Sequence, residues 1–442
     1  MNTEGNCFTW SELSAEQRRA ALQRPAVRDQ RETVEQVRAI IRDVRQTGDQ
    51  ALRELTERLD GARISEFRVS DQEASDAERA LTDAQKTAVK VAIANVSRFH
   101  AAQPSLPLRI ETATGVTCER ILRPIPAVGL YVPAGTAPLP STAIMLAVPA
   151  GLAGCPVKLL CTPPRANGRA DPAVVYAAQE CGVASIFKLG GAQAIAAMAY
   201  GTESVPKVDK IFGPGNAWVT AAKTEVATDP AGAALDMPAG PTEVMVIADA
   251  GADPLAVALD LLSQAEHGSD SQVVLVTDTP ELAEAVAAAV QATLPELPRR
   301  QIIEQALQNS LTILVDDVPQ AIDVANAYAA EHLIIQVNKA RQYIDSIINA
   351  GSIFLGPWTP EAVGDYCSGT NHVLPTYGYA RAYSGLSTRD FQKQISVQEL
   401  TEAGLRGLAS TVETLAELEG LDAHAEAVRV RLNPRTGGVN RE

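Results

Sequence analysis

The sequence predicts an α/β protein whose strands lie in parallel sheets, and three observations point there. Strand, tight glycine turn and helix recur three times between residues 128 and 226. A second alternation of strands and helices begins at Glu243, and aromatic residues make up only 4 % of the 442 while small apolar residues dominate. Strands joined by crossover helices run parallel, and small side chains let helices lie close over the sheet. With 46 % hydrophobic residues the chain can bury more than one core, roughly three domains at ~150 residues each.

The chain starts helical. Ser14 and Gln17 have the spacing of a capping box, and Val34, Val37, Ile41 and Val44 form one stripe at helical spacing. Asp49 is placed to cap the next helix, which carries Leu52, Leu55 and Leu59. A third helix, about Asp83 to Phe99, puts Val89, Ile93 and Val96 on one side, and His100 at its end reads as structural. Val128 to Pro133 is a strand running into a turn-rich loop, Ala134 to Pro140, with Ser141 or Thr142 starting a helix. Strands follow at Val157 to Leu160, Ser185 to Leu189 and Lys210 to Phe212. The last two lead through Gly190-Gly191 and Gly213-Pro214-Gly215-Asn216 into helices from Ala192 and Ala217. Beyond Glu243, strands at 244–247, 273–276, 311–315 and 333–337 alternate with helices at 254–266, 280–290 and 321–330. The two α/β units meet near Asp236 to Thr242. After about Thr388 the pattern of Leu405, Leu408, Val412 and Leu415 is helical, and no repeat of a fixed period stands out.

Acidic side chains outnumber basic ones 53 to 38, for a net charge of −15. Such a surface repels nucleic acid and anionic membranes, so neither is an expected partner. The apolar run Ala143 to Cys155 is interrupted by Pro149, Gly151 and Gly154 and is too short for a crossing of ~20 residues. Met1 to Trp10 carries no secretory or transit pattern, and the six cysteines have no C-x-x-C spacing. Reduced thiols in a cytoplasmic protein are the expectation.

Four of the five histidines, His267, His332, His372 and His424, lie beside Gln, Glu or Asp in glycine-punctuated sequence. Gln264 and His267 are three apart at a helix end and share a face. With Asp365 in a loop of small residues and His424 after Gly420, they offer nitrogen and oxygen donors suited to Zn²⁺ with positions left open. No dense motif supports that set, and the plainer reading leaves His267 capping its helix and His424 on the surface. Glu331-His332 sits at a strand edge, where an imidazole can move protons and a carboxylate can activate water. Alone it is a common dipeptide. No G-x-G-x-x-G follows any strand; the two glycine turns either receive a pyrophosphate at a helix start or merely connect elements.

Longer strings carry more. Val128-Gly-Leu-Tyr-Val-Pro133, Val208-Asp-Lys-Ile-Phe-Gly-Pro-Gly-Asn216 and Asp236-Met-Pro-Ala-Gly-Pro241 stand in order with Leu262-Ser-Gln-Ala-Glu-His-Gly268 and Ala330-Glu-His-Leu333. Gly364-Asp-Tyr-Cys-Ser-Gly-Thr-Asn-His-Val-Leu-Pro375 and Leu418-Glu-Gly-Leu-Asp-Ala-His424 complete the series. Through these the chain resembles the histidinol dehydrogenase family over nearly its whole length. The resemblance implies oxidation of L-histidinol to L-histidine via the aldehyde with two NAD⁺ and water, the last step of histidine biosynthesis, with one Zn²⁺ per subunit. It implies Gln264, His267, Asp365 and His424 as metal ligands and Glu331 and His332 as the acid–base pair. Thr242, His372 and Glu419 join Gln264, His267, His332, Asp365 and His424 as substrate contacts, and Tyr131, Gln193 and Asn216 hold the dinucleotide.

The implied architecture is two incomplete Rossmann-like parallel-sheet domains, a helical N-terminal segment and a small helical C-terminal domain in an intertwined homodimer, where Glu419 and His424 complete the partner's site. The corresponding boundaries are 1–25 for the N-terminal segment, 26–130 for the helical part of the first α/β domain and 131–240 for the NAD-binding domain. Residues 241–380 form the remainder of the first domain with the metal and catalytic residues, and 381–442 the helical dimerisation segment.

Three positions depart from the family pattern. Thr242 stands for Ser, Trp218 for Tyr, and Ala134 for a Gly, the last mattering most if positive φ is needed there. Cys118 and Cys155 have no neighbour that makes a thiolate and read as structural. Two other functions stand beside this one. A related zinc- and NAD-dependent dehydrogenase of another small alcohol, such as a sulfonated diol, should lack residues that read the imidazole and amine, yet Glu419 and His424 are present. A non-catalytic metal-binding module would not need Glu331-His332.

Overall fold

The computed structural model describes residues 6–24, 30–103, 106–134, 137–238 and 240–433. Part of the loop expected between Ala134 and Pro140, and Ala239 of the string before Thr242, lie outside the described residues. The first strand, β1, is Cys7–Thr9, and β2 (Leu108–Ala113) and β3 (Val116–Pro124) form a hairpin. Then come β4 (Ala127–Tyr131), β5 (Val157–Thr162), β6 (Ser185–Lys188), β7 (Lys210–Phe212) and β8 (Ala234–Leu235). The third group is β9 (Glu243–Ala248), β10 (Gln272–Thr277), β11 (Leu311–Leu314), β12 (His332–Gln336) and β13 (Ser352–Leu355), and β14 (Gln392–Leu400) closes the series.

The chain divides into two compact units. The first, residues up to 103 with 125–391, holds two parallel sheets in the orders β6-β5-β4-β7-β8 and β1-β11-β10-β9-β12-β13. β9, β10 and β12 are buried at every residue, as strands covered on both faces must be. The helix Pro140–Leu152 between β4 and β5 is apolar on all sides and almost wholly buried. The helices run as expected within a few residues, and the Ser14–Gln17 capping box is present.

Several expectations need correction. Asp49 does not cap its helix; Gly48 precedes it, and the Asp49 carboxylate accepts from Thr202 Oγ1 at 2.7 Å and Ser204 N at 3.2 Å. The N-terminal segment is not only helical, because Cys7–Thr9 adds an edge strand to the six-stranded sheet. The helices Gln30–Thr47, Asp71–Ala80 and Asp83–Ala101 pack chiefly on the helices of the five-stranded sheet, although they were grouped with residues 241–380; the last also reaches that segment, with Asn95 Nδ2 donating to Cys367 O at 2.9 Å. Non-local packing decided that, and no local pattern reports it.

The second unit comprises 104–124 and 392–442. Here β14 pairs antiparallel with β3, and β3 with β2. Its helices, Glu402–Leu418 and Asp422–Leu432, pack on each other, with Arg429 Nε donating to Glu413 at 2.8 Å. The segment from 381 onward is therefore not purely helical. No described helix is long and apolar enough to cross a membrane.

Candidate active site

The site grows from the amino ends of β9 and β12, whereas ligands of open α/β sheets usually gather at carboxyl ends. Glu331 and His332, at the start of β12, are 5 % and 3 % exposed. Glu331 Oε2 accepts from Thr242 Oγ1 at 2.5 Å and from the Glu243 backbone N–H at 3.0 Å. His332 Nδ1 lies 3.2 Å from the Glu243 carbonyl. The Glu243 side chain is held in turn by Arg24, whose Nε and an Nη contact its two oxygens at 2.5 and 2.6 Å. Ala329, just upstream, adopts φ 59°, a left-handed conformation that an L residue other than Gly resists.

Carboxylates crowd the imidazole. His332 Nδ1 is 3.6 Å from Glu361 Oε1 and 3.7 Å from Glu331 Oε2, and Nε2 is 3.7 Å from Asp365 Oδ1. Glu361, which sequence reasoning missed, sits one turn before Asp365 on the helix Glu361–Tyr366 and is 2 % exposed. Its only signal in the sequence is that i, i+4 spacing. The Glu243 carbonyl facing Nδ1 can only accept, so that nitrogen carries a proton, and Nε2, toward Asp365, is the one that can exchange.

Burial shapes the electrostatics. It pushes Glu331 up to about 7, against the nearby His332 and the Thr242 and Glu243 hydrogen bonds. It pushes Glu361 up to about 8. Burial alone would lower His332, but Glu361, Glu331 and Asp365 carry its pKa well above the usual imidazole range. For Asp365 burial pulls upward, and His332, His372 and His267 outweigh it to hold the carboxyl low. The site is thus a buried acid cluster around one imidazole, an environment that favours an added cation.

The donors fit a divalent metal. His267, Glu361 and Asp365 each offer a ligand atom, all within 4.8 Å of one another. Gln264 is fully buried and donates through Nε2 to Thr242 Oγ1, which places its amide beside the pair. His267 is the open side of the group, with a side chain 42 % exposed and Nε2 4.0 Å from Asp365 Oδ2, and it does not cap its helix. His372 Nε2 is buried without a hydrogen-bond partner. Burial lowers the pKa of both His267 and His372, which keeps them neutral and able to ligate. Glu419 and His424 belong to the second unit, where both are exposed at the turn between its two helices. The Thr242 hydroxyl, expected against substrate, is engaged by Glu331 and Gln264.

The residues expected to hold a dinucleotide lie at carboxyl ends of strands in the five-stranded sheet. Tyr131 ends β4, and its buried hydroxyl accepts from Gly191 N at 3.0 Å. Gln193 begins the helix after β6; it is 1 % exposed, and its Oε1 is buried without a partner. Asn216, after β7, caps the next helix by accepting from Trp218 N and Val219 N and is itself exposed. Gly213 is required where it stands, since a Cβ would overlap the Tyr131 carbonyl. Lys223 is buried there and donates to Gly213 O at 2.8 Å and to Asp236. The orphaned amide oxygen can accept a ribose hydroxyl, and backbone N–H groups of a turn without side chains can approach a phosphate, so this lining fits a dinucleotide. Ala134 is not at positive φ, so no strain arises from its replacing Gly, and Trp218 packs against the core. Burial raises the Cys155 thiol, which contacts Phe391 O, so it is no thiolate.

A sequence model of the family described as "Histidinol dehydrogenase" matches residues 22–432. The chain is 55 % identical over 423 residues to "Histidinol dehydrogenase" of Photobacterium profundum, covering 96 % of this chain and 95 % of that one. It is 54 % identical over 427 residues to the protein of the same name from Xanthomonas campestris pv. campestris (strain ATCC 33913), covering 97 % and 99 %. The crystal structure of histidinol dehydrogenase from Elizabethkingia anophelis superposes with a TM-score of 0.92 at 44 % identity, covering 97 % of this chain and 98 % of that one.

Proposed function

The chain belongs to the histidinol dehydrogenase family, and on that footing we propose that it oxidises L-histidinol to L-histidine through the aldehyde, in the cytoplasm. The observation that carries this reading is the buried Glu331–His332 pair, fixed on one backbone residue and adjoining the His267, Glu361 and Asp365 donors.

Zn²⁺, one per subunit, would be held by Gln264, His267 and Asp365 with His424 of the partner subunit, and would supply a fixed point for the substrate's amine and imidazole nitrogens. Two NAD⁺, held by Tyr131, Gln193 and Asn216, would supply the hydride acceptors. Glu419 of the partner subunit would balance the substrate ammonium, with His372 and Thr242 lining the pocket. In the metal-free protein the surrounding carboxylates hold His332 protonated; a cation held by Asp365 would offset that charge and lower the imidazole's pKa, leaving Nε2 free to take the carbinol proton in the first oxidation. Glu331, poised near neutrality by burial, takes a proton from water as its oxygen adds to the aldehyde. His332 returns the proton it took to the aldehyde oxygen as the water adds, which completes the hydrate, and then accepts the hydrate's hydroxyl proton in the second oxidation; the product acid sheds the third. One alcohol and one water thus yield a carboxylate, two hydrides and three protons.

The test is stoichiometry. Two NADH formed per histidinol consumed are expected. A ratio of one would reduce the protein to a simple alcohol dehydrogenase, and none would leave a binding protein.

A further inference from the structure

Asp60 ends a π-helical turn, Thr56–Asp60, that follows the helix Asp49–Leu55. Its Oδ2 accepts from Gln193 Nε2 at 3.1 Å. A Cβ built on Gly190 would lie 3.1 Å from Asp60 Oδ1 and 2.7 Å from the Pro163 ring. Pro163 directly follows β5 and Gly190 comes just after β6. The carboxylate therefore stands between the carboxyl ends of these two strands, against the Gly190–Gly191 turn.

Nothing nearby balances it. Among the described residues Oδ1 has no hydrogen-bond partner, and no Lys or Arg pairs with Asp60. Burial pushes the carboxyl up to about 6, and only the Gln193 hydrogen bond works against that. An acid partly withdrawn from water without a counter-charge is stabilised by a ligand that brings donors to it. Next to it Gln193 Oε1 is buried and unsatisfied, 2.8 Å from where a Gly191 Cβ would be. Two empty acceptors thus flank a turn that has no side chains.

The sheet order says which part of a dinucleotide reaches them. β4 comes first in sequence, β5 lies beside it, β6 outside that, and β7 on the other flank. In open parallel sheets of this order the dinucleotide crosses the carboxyl ends, and an acidic residue past the second strand receives an adenosine ribose hydroxyl. Past β5 this chain reads Pro163-Pro164-Arg165 and offers no acid. Asp60, arriving from the N-terminal helices, occupies that place.

The geometry points to Asp60 as the acceptor for the adenosine ribose diol, and hence as the residue that admits NAD⁺ and turns away its 2′-phosphorylated form. This rests on the reading that Tyr131, Gln193 and Asn216 hold the dinucleotide. A 2′-phosphate would set two like charges side by side in a partly dry site.

Binding alone tests it. NADH, NADPH and NADH lacking the adenosine 2′-hydroxyl are titrated into the metal-loaded protein and followed by nicotinamide fluorescence. The unmutated chain is expected to bind NADH at least tenfold more tightly than either analogue, about the worth of one charge-assisted hydrogen bond. In Asp60→Asn, NADH binding weakens about tenfold, the penalty for the missing hydroxyl shrinks to about twofold, and the bias against NADPH narrows. Asp60→Asn keeps an oxygen for Gln193; circular dichroism checks its fold, and Asp60→Ser gives a second variant. If both variants keep the unmutated affinity ratios among the three ligands, Asp60 has no such role. Should neither fold, the unmutated chain still decides, because equal affinity for NADH and its deoxy analogue overturns the inference while leaving the dinucleotide site intact. Failure of the unmutated chain to bind NADH overturns that site and the inference together.

Discussion

Glu331 accepts the backbone N–H of Glu243 at 3.0 Å, while the adjacent His332 brings Nδ1 to 3.2 Å from the carbonyl of that same residue. Neighbours along a strand point to opposite faces. Here they converge because Glu331 precedes β12 and only His332 lies in it. One peptide residue, anchored by the buried Arg24 ion pair, thereby positions both proton carriers.

Replacing His332 with Asn should lower turnover by about two to four orders of magnitude, the usual worth of a positioned general base. Zinc content should stay near one per subunit. Metal analysis beside steady-state rates checks this, and lost zinc with normal turnover would defeat the assignment.

Glu331→Gln should damage aldehyde oxidation more than alcohol oxidation, because only the former needs an activated water. The working form is the carboxylate, and burial places its pKa at about 7 in the metal-free protein. Aldehyde oxidation should therefore rise with pH and level off near or below neutrality, since an added cation can only lower that value. Equal loss in both half-reactions would contradict the role.

Glu361 shares the donor cluster with His267 and Asp365. Glu361→Gln should weaken zinc binding by roughly 10–100-fold, as removal of an acidic partner around a metal usually does. Competition with a chelator of known strength measures it; unchanged affinity would confine Glu361 to His332.

Ala329→Gly relieves the left-handed strain two residues before Glu331. A gain of up to about 1 kcal/mol is expected, reduced by the extra freedom of glycine in the unfolded chain. It should appear as a small rise in the thermal midpoint. A fall would show that the methyl contributes packing worth more than the strain.

The parallel strands were legible because buried strands such as β9 and β12 are continuous apolar runs bounded by turns. β2 gave no such signal, since all six of its residues are exposed, and β14, Gln392–Leu400, is exposed along most of its length. The pairing of β14 with β3 joins segments more than 250 residues apart, which no local window reports. Within the site, Gln264, His267, Asp365 and the Glu331-His332 dipeptide stood out by residue type and through the family strings. Glu361 did not, because Thr359-Pro360-Glu361 looks like any solvated helix start until the fold buries it. Asp60, an acid before a glycine, carries no local signal for the same reason.

On the proposed reading, proton handling is mounted at the amino ends of strands in one sheet and nucleotide contacts at the carboxyl ends of strands in the other. Separate mounting makes the two functions independently tunable. Redesign for a different redox carrier can be confined to the β4–β8 layer and the Asp60 turn that meets it, while alterations to the alcohol pocket can leave the carrier seat undisturbed.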